Sequence, residues 1–349
     1  MKIFGSINEQ YTNLWKAIIR PPRDAYDPED IGPSRFQTNG IVVTRRDVDL
    51  KNRRGHLIRC SHFEPEIRAS PELPCVIYLH GNCSSRLEAL QCVPTLLPSQ
   101  ISLFALDFSG SGLSDGEYVS LGYHERDDLA VVVDYLRGIG TVSLIGLWGR
   151  SMGAATALMH VDRDPSIAAM VLDSPFADLR RLADELVGEF LPMRLPKFLV
   201  GWGLSFIRSS IKSRADFDIL HLSPIAHVSA CFVPALFVAA EDDTFVRPKH
   251  SRDLHDAYAG DKRIVLVPGS HNSARPQSFV DSAAVFFYNA LQCSKLPIVN
   301  HIAIDSSVPR LLGRNRSIRG MGVGGSQTED ENHAIQRAIE ASLVSNLQG

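Results

Sequence analysis

Ser151 stands between two glycines in Gly149-Arg150-Ser151-Met152-Gly153, where an apolar run ending near Trp148 gives way to an alanine-rich segment of helical spacing. A G-x-S-x-G stretch in that strand-to-helix setting lifts a serine hydroxyl out of a sheet on a strained turn that its glycines make possible. The hydroxyl is a weak nucleophile at neutral pH, so it needs a base within hydrogen-bond reach and a carboxylate to orient that base. Acids and a histidine follow in the required order, each just after an apolar run. Glu241-Asp242-Asp243 comes after Ala235–Val238, and Gly269-Ser270-His271-Asn272 comes after Ile264–Val267. Ser151, an aspartate at 242 or 243, and His271 therefore form a candidate set for nucleophilic catalysis.

Such residues have to be delivered by strands and turns, and the rest of the chain supplies them. The short apolar runs Val76–Leu79, Leu103–Leu106, Val142–Ile145, Met170–Leu172, Ala235–Val238 and Ile264–Val267 alternate with longer helical patterns. That alternation predicts an α/β fold with a mostly parallel sheet, its strands buried on both faces and flanked by helices. Gly40–Leu50 and His56–Phe63, either side of the turn-like Lys51-Asn52-Arg53-Arg54-Gly55, predict an antiparallel pair leading into the sheet. Helices are predicted over Gly122–Leu136, Ser151–His160 and Pro276–Leu291. Residues 175–230 read as a small helical cap, with Leu179–Phe190 and the apolar Phe198–Ile207 as its helical parts. Arg194, Lys197, Arg208, Lys212 and Arg214 flank the apolar part, which fits either contact with a membrane surface or a cap packed on its own core.

From about Gly40 to Leu291 the chain resembles the α/β-hydrolase superfamily, closest to its serine aminopeptidase-like and ABHD-type branch. The resemblance implies a serine hydrolase with Ser151 as nucleophile, His271 as general base and acid, and an orienting acid in a Gly-x-x-Asp-x-x-Val/Ile pattern. Asp243 with Val246 fits that register, although Ala240 stands where glycine is usual, and Asp242 is the alternative. His80-Gly81-Asn82, after the Val76–Leu79 run, lies where the family carries its oxyanion loop; the backbone N–H groups of Asn82 and Met152 are then the implied donors. Asp107-Phe108-Ser109-Gly110-Ser111-Gly112-Leu113-Ser114 resembles a further superfamily signature and reads as a structural turn, since a nucleotide loop would need a later glycine and a ribose-binding acid. Cys83 reads as a small hydrophobe rather than a nucleophile. The implied substrates are carboxylesters, thioesters such as acylated cysteines, or peptides, with the apolar cap favouring a fatty acyl group. The mechanism requires no metal or organic cofactor.

The organisation expected is an arm over residues 1–39, a hydrolase domain over 40–294, a glycine- and arginine-containing linker over 295–327 and a helix over 328–349. Thr328-Glu329-Asp330-Glu331 has the capping-box pattern that starts that helix. Ile335, Ala338, Ile339 and Ser342 then share one narrow face. This short segment resembles a ubiquitin-interacting motif, with the acids about one turn early and Ser345 where a trailing acid is usual. Ubiquitin is the partner implied; a tail docked on the hydrolase domain is the other reading. A different class of function, a ubiquitin-binding adaptor whose hydrolase fold only supplies a surface, stays open beside the enzyme.

The 349 residues, 44% of them hydrophobic, are ample for a large core. With 36 Lys+Arg against 39 Asp+Glu, the chain is not a strongly basic nucleic-acid binder. Six scattered cysteines without a Cys-x-x-Cys pair fit a reduced, cytoplasmic protein. The first residues turn polar too soon for a signal peptide, and no stretch approaches the roughly 20 apolar residues of a spanning helix. Membrane contact, if made, is expected to be peripheral and through the cap.

Overall fold

The computed structural model describes residues 12, 15–16, 18–190, 208–299 and 308–310, with the backbone alone for 187–190. Nine strands form one sheet: β1 (Arg35–Thr38), β2 (Ile41–Lys51), β3 (Leu57–Pro65), β4 (Leu73–Leu79), β5 (Ser102–Leu106), β6 (Val142–Arg150), β7 (Ala169–Asp173), β8 (Ala235–Ala240) and β9 (Lys262–Val267). Their order is β1-β2-β3-β5-β4-β6-β7-β8-β9. The first three strands are antiparallel, and β3 joins β5 antiparallel; from β5 to β9 every pairing is parallel. This is the α/β-hydrolase fold.

Among the described residues, the longer helices that carry crossovers or close the domain are α1 (Glu125–Gly138), α2 (Met152–Val161), α3 (Leu179–Phe190), α4 (Pro248–Ala257) and α5 (Gln277–Ala290). The predicted helices over 122–136, 151–160 and 276–291 correspond to α1, α2 and α5 with ends shifted by one to three residues. Every residue of β4 is buried because both faces of the sheet are covered. Successive side chains of β4 serve opposite cores. Val76 and Tyr78 pack with Trp148 and with Phe279 and Phe287 of α5, whereas Cys75, Ile77 and Leu79 pack toward Leu129 and Val132 of α1 and Leu158 of α2.

Three features depart from the expectations. β1 lies inside the stretch read as an arm and pairs with β2 from Arg35↔Thr44 to Thr38↔Ile41. The helix α4 was not anticipated. Part of the stretch read as a linker is docked: the Gln37 N–H donates to Pro309 O at 2.8 Å, Gln37 bridges Arg310 in parallel, and Val308 is buried. Upstream, Trp15 and Ile19 do pack on the domain, against Ile211 and Phe217. Arg23 donates to the carbonyls of Gly112, Ser111 and Ser114 in the Asp107–Ser114 turn. Asp107 holds that turn, accepting from Tyr26 Oη at 2.6 Å, Arg86 N at 2.7 Å and Leu113 N at 2.9 Å.

Of the cap, the structure describes α3 and a helical segment over 208–215; Phe198–Ile207, Arg194 and Lys197 lie outside the described residues. Two of the basic residues suggested for a membrane face are engaged within the fold. Arg208 forks onto Asp218, with Nε–Oδ1 2.7 Å and Nη2–Oδ2 2.5 Å, and Arg214 lies over the Trp15 ring at 4.4 Å. The bidentate hydrogen bond from Arg208 pushes the Asp218 carboxyl down to about 2. Among the described residues no helix is long and apolar enough to cross a membrane.

Candidate active site

The parallel strands end at one rim of the sheet, and the loops that follow β4, β6, β8 and β9 meet there. β6 stops at Arg150, and Ser151 adopts φ 50° and ψ −112° before α2 begins at Met152. Such a backbone is strained for a non-glycine residue and is kept only where its surroundings over-determine it. Two contacts do so. Ser151 N–H donates to Asp173 O at 2.7 Å, and Ser151 O accepts from Ala155 N at 3.0 Å. The flanking glycines are required by space: a Cβ on Gly149 would sit 2.5 Å from Ala154 N, and one on Gly153 only 2.0 Å from Leu79 O.

His271 and Asp243 converge on this serine from loops 120 and 92 residues away in sequence, at the ends of β9 and β8. His271 Nε2 lies 2.9 Å from Ser151 Oγ, and His271 Nδ1 lies 2.6 Å from Asp243 Oδ2. The second carboxylate oxygen, Oδ1, accepts from Phe245 N at 3.0 Å and Val246 N at 2.7 Å. With Nδ1–H donated to the carboxylate, Nε2 presents its lone pair to the serine hydroxyl. Asp243 and His271 are 3% and 7% exposed, so these bonds are made largely away from water. Phe245 covers the imidazole, ring centroids 5.2 Å apart. Asp242 is exposed, and its N–H donates to Gly269 O at 3.1 Å.

The His80–Asn82 loop lies against the elbow, since a Cβ on Gly81 would be 3.9 Å from Ser151 Cβ. His80 is fully buried and fixes the loop, with Nδ1 2.7 Å from Gly81 O while Nε2 accepts from Phe108 N at 3.1 Å. The backbone N–H groups of Asn82 and Met152 have no hydrogen-bond acceptor among the described residues. On the cap side, Leu182 of α3 packs with Ala155 and Met159 of α2, Phe176, Leu222 and Val246, with Phe245 and Leu186 against them. The ubiquitin-motif residues Ile335, Ala338, Ile339 and Ser342 lie outside the described residues. Among the described residues no group of three or more His, Cys, Asp or Glu is placed to hold a metal ion.

Glu88, Arg150, Asp173 and Arg275, which sequence reasoning did not single out, surround the same loops. Arg150 occupies a variable position of the G-x-S-x-G stretch and was visible there; the other three carry no local pattern. Burial works against ionisation of Asp173, but the Arg275 and Arg150 guanidiniums hold its carboxyl below the ordinary carboxylate range. Burial likewise opposes the charge on Arg150, yet Glu88 and Asp173 raise its pKa further.

Known proteins similar to this chain include hydrolases. Residues 71–221 match the model of the family described as serine aminopeptidase, S33. The chain is 27% identical over 218 residues to the zebrafish (Danio rerio) lysophosphatidylserine lipase ABHD12, covering 59% of this chain and 54% of that protein. It is 30% identical over 202 residues to the Bacillus subtilis protein YqkD, of unassigned function, covering 56% and 64%. The chain thus spans less than two thirds of the length of either relative. Among solved structures, the Pyrococcus furiosus esterase Pf2001 superposes with a TM-score of 0.56 at 21% identity, over 78% of this chain and 97% of that one. The superposition agrees with the α/β-hydrolase fold described above.

Proposed function

We propose that the protein is a serine hydrolase that cleaves an ester or thioester through an acyl-enzyme, with Ser151 as nucleophile. The observation that carries the reading is the unbroken run from Ser151 Oγ through His271 to Asp243, with its 2.9 Å and 2.6 Å contacts. His271 takes the hydroxyl proton as Ser151 attacks the acyl carbon, and returns it to the leaving alcohol or thiol as the tetrahedral intermediate collapses. Water then repeats the sequence on the acyl-enzyme, releasing the acid and free Ser151. The N–H groups of Asn82 and Met152, without other acceptors among the described residues, are the donors for the oxyanion, each lowering the barrier by on the order of 3 kcal/mol. The apolar cluster joining α3 to Phe245 and Val246 favours an apolar acyl group, in keeping with the lipase and esterase among the similar proteins.

The test is labelling with a fluorophosphonate probe. Wild type should label, and Ser151→Ala should not. Asp243→Asn should label about 10⁴-fold more slowly, the cost of a wrong histidine tautomer. Asp242→Asn should label at the wild-type rate. A folded wild type that stays unlabelled would end this reading.

The family model's description favours peptide cleavage as the second reading, to be read out on amino-acid anilides with the same variants. Beside the catalysis stands ubiquitin binding by residues 328–349, supported by the spacing of Ile335, Ala338, Ile339 and Ser342. Chemical-shift changes in labelled ubiquitin on titration with the full chain, lost in Ala338→Asp, are expected; a flat titration at millimolar concentration would discard the partner.

A further inference from the structure

The nucleophile, the base and the oxyanion loop come from three separate loops, and one set of charged side chains touches all three. Glu88 Oε2 accepts the N–H of Gly81 at 3.0 Å, the residue just before Asn82, while its Oε1 receives Arg150 Nη1 at 3.2 Å. The other end of that guanidinium, Nη2, donates to the carbonyls of His271 at 3.0 Å and Ser273 at 3.1 Å. Arg275 Nη2 reaches the same His271 carbonyl at 3.2 Å, and its Nη1 reaches Ser270 O at 3.0 Å. Arg275 is in turn forked onto Asp173, Nε–Oδ2 2.8 Å and Nη2–Oδ1 2.9 Å. The chain closes at Asp173, whose backbone carbonyl takes the Ser151 N–H at 2.7 Å.

Global stability does not account for such an arrangement. Replacing a buried ion pair by packed apolar groups is often neutral or better, so four buried or half-buried charges at one rim need a reason beyond folding. Arg275 and Asp173 are each 3% exposed at the side chain, and Arg150 and Glu88 15% and 14%. What the arrangement does achieve is mutual placement, because a guanidinium that donates to two or three acceptors has little freedom to shift. Acyl transfer is sensitive to that placement: a displacement of about 1 Å can cost roughly 100-fold in rate.

We propose that Glu88, Arg150, Asp173 and Arg275 act as one positioning network that locks the oxyanion loop and the histidine loop to the nucleophile elbow. The proposal rests on the serine-hydrolase reading above. Glu88 sets the peptide that leads into Asn82, Arg150 and Arg275 hold the His271 main chain, and Asp173 ties that hold to the Ser151 backbone.

The experiment uses the full chain with p-nitrophenyl butyrate as probe substrate. Glu88→Gln, Arg150→Lys, Arg275→Lys and the Glu88→Gln/Arg150→Lys double variant are compared with wild type. Active sites are counted by exhaustive fluorophosphonate labelling, and kcat is expressed per labelled site. The first two substitutions conserve size at the more exposed end of the network, so they keep the test decisive where Arg275→Lys fails to fold. The expected result is full labelling with kcat per site lowered about 10- to 100-fold, KM within about two-fold of wild type, and a double variant little worse than the worse single one. A purely structural role would instead reduce the number of sites and leave kcat per site within two-fold of wild type, and that outcome overturns the network. A wild type that neither labels nor turns over overturns the hydrolase reading itself, which separates the two failures.

Discussion

His62 shows how much one side chain can contribute to pH sensitivity. It is fully buried beside Phe104, ring centroids 5.4 Å apart, and its Nδ1 has no hydrogen-bond partner among the described residues. Burial pushes its pKa down to about 4 from the ordinary 6.5, with Glu64 acting the other way and Arg46 and Arg68 adding to the fall. Between those two values the unfolded chain binds a proton that the folded one refuses, so stability rises with pH across that window. The contribution is complete above pH 6.5, is lost as pH falls toward 4, and amounts to about 3 kcal/mol. Burial also lowers the pKa values of His160 and His250, with the same sign. The melting temperature should therefore drop between pH 6.5 and 4, and His62→Leu should flatten part of that drop; an unchanged slope in the variant would remove His62 from the account. At this scale the sequence was uneven. It pointed to Ser151 and His271 from their settings but left Asp242 beside Asp243, and it is Asp243 that the structure brings to His271, its Oδ1 accepting from the N–H groups of Phe245 and Val246. His62 looked like any other strand residue, because its environment is made by β5 and β4, which are distant in the chain.

The elbow between β6 and α2 sets the site at the level of elements. Gly153 is where the first turn of α2 passes the end of β4, and Leu79 O occupies the space a side chain would take. Gly153→Ala would force α2 away from the oxyanion loop. A loss of about 3 kcal/mol is expected, read as a lower urea midpoint, together with slowed fluorophosphonate labelling. A variant with an unshifted midpoint would show that the packing tolerates the methyl group. Parallel strands were legible because burial on both faces leaves a run of apolar residues, as at β4 and β5. β1 was not, since four residues at a border, with Arg35 exposed, offer no periodic signal. The network of Glu88, Arg150, Asp173 and Arg275 was illegible for a related reason: partners such as Arg275 and Asp173 lie 102 residues apart and meet only once the sheet has ordered its loops.

Across the whole molecule, the domain from β1 to α5 holds every element that the candidate site uses, while the chain continues past it to return at the opposite border. Residues near 308 read as a linker because of the arginines and glycines that follow between Arg310 and Gly325, and nothing local marks Val308 as a buried residue. Its docking has a bearing on self-association. An open sheet border offers unpaired N–H and C=O groups to any foreign strand, and proteins that leave it bare tend to aggregate. Here the Gln37 amide is already committed to Pro309. A chain shortened at residue 299 would keep Ser151, Asp243 and His271 and lose this guard, so its candidate site would be intact and its resistance to self-association compromised.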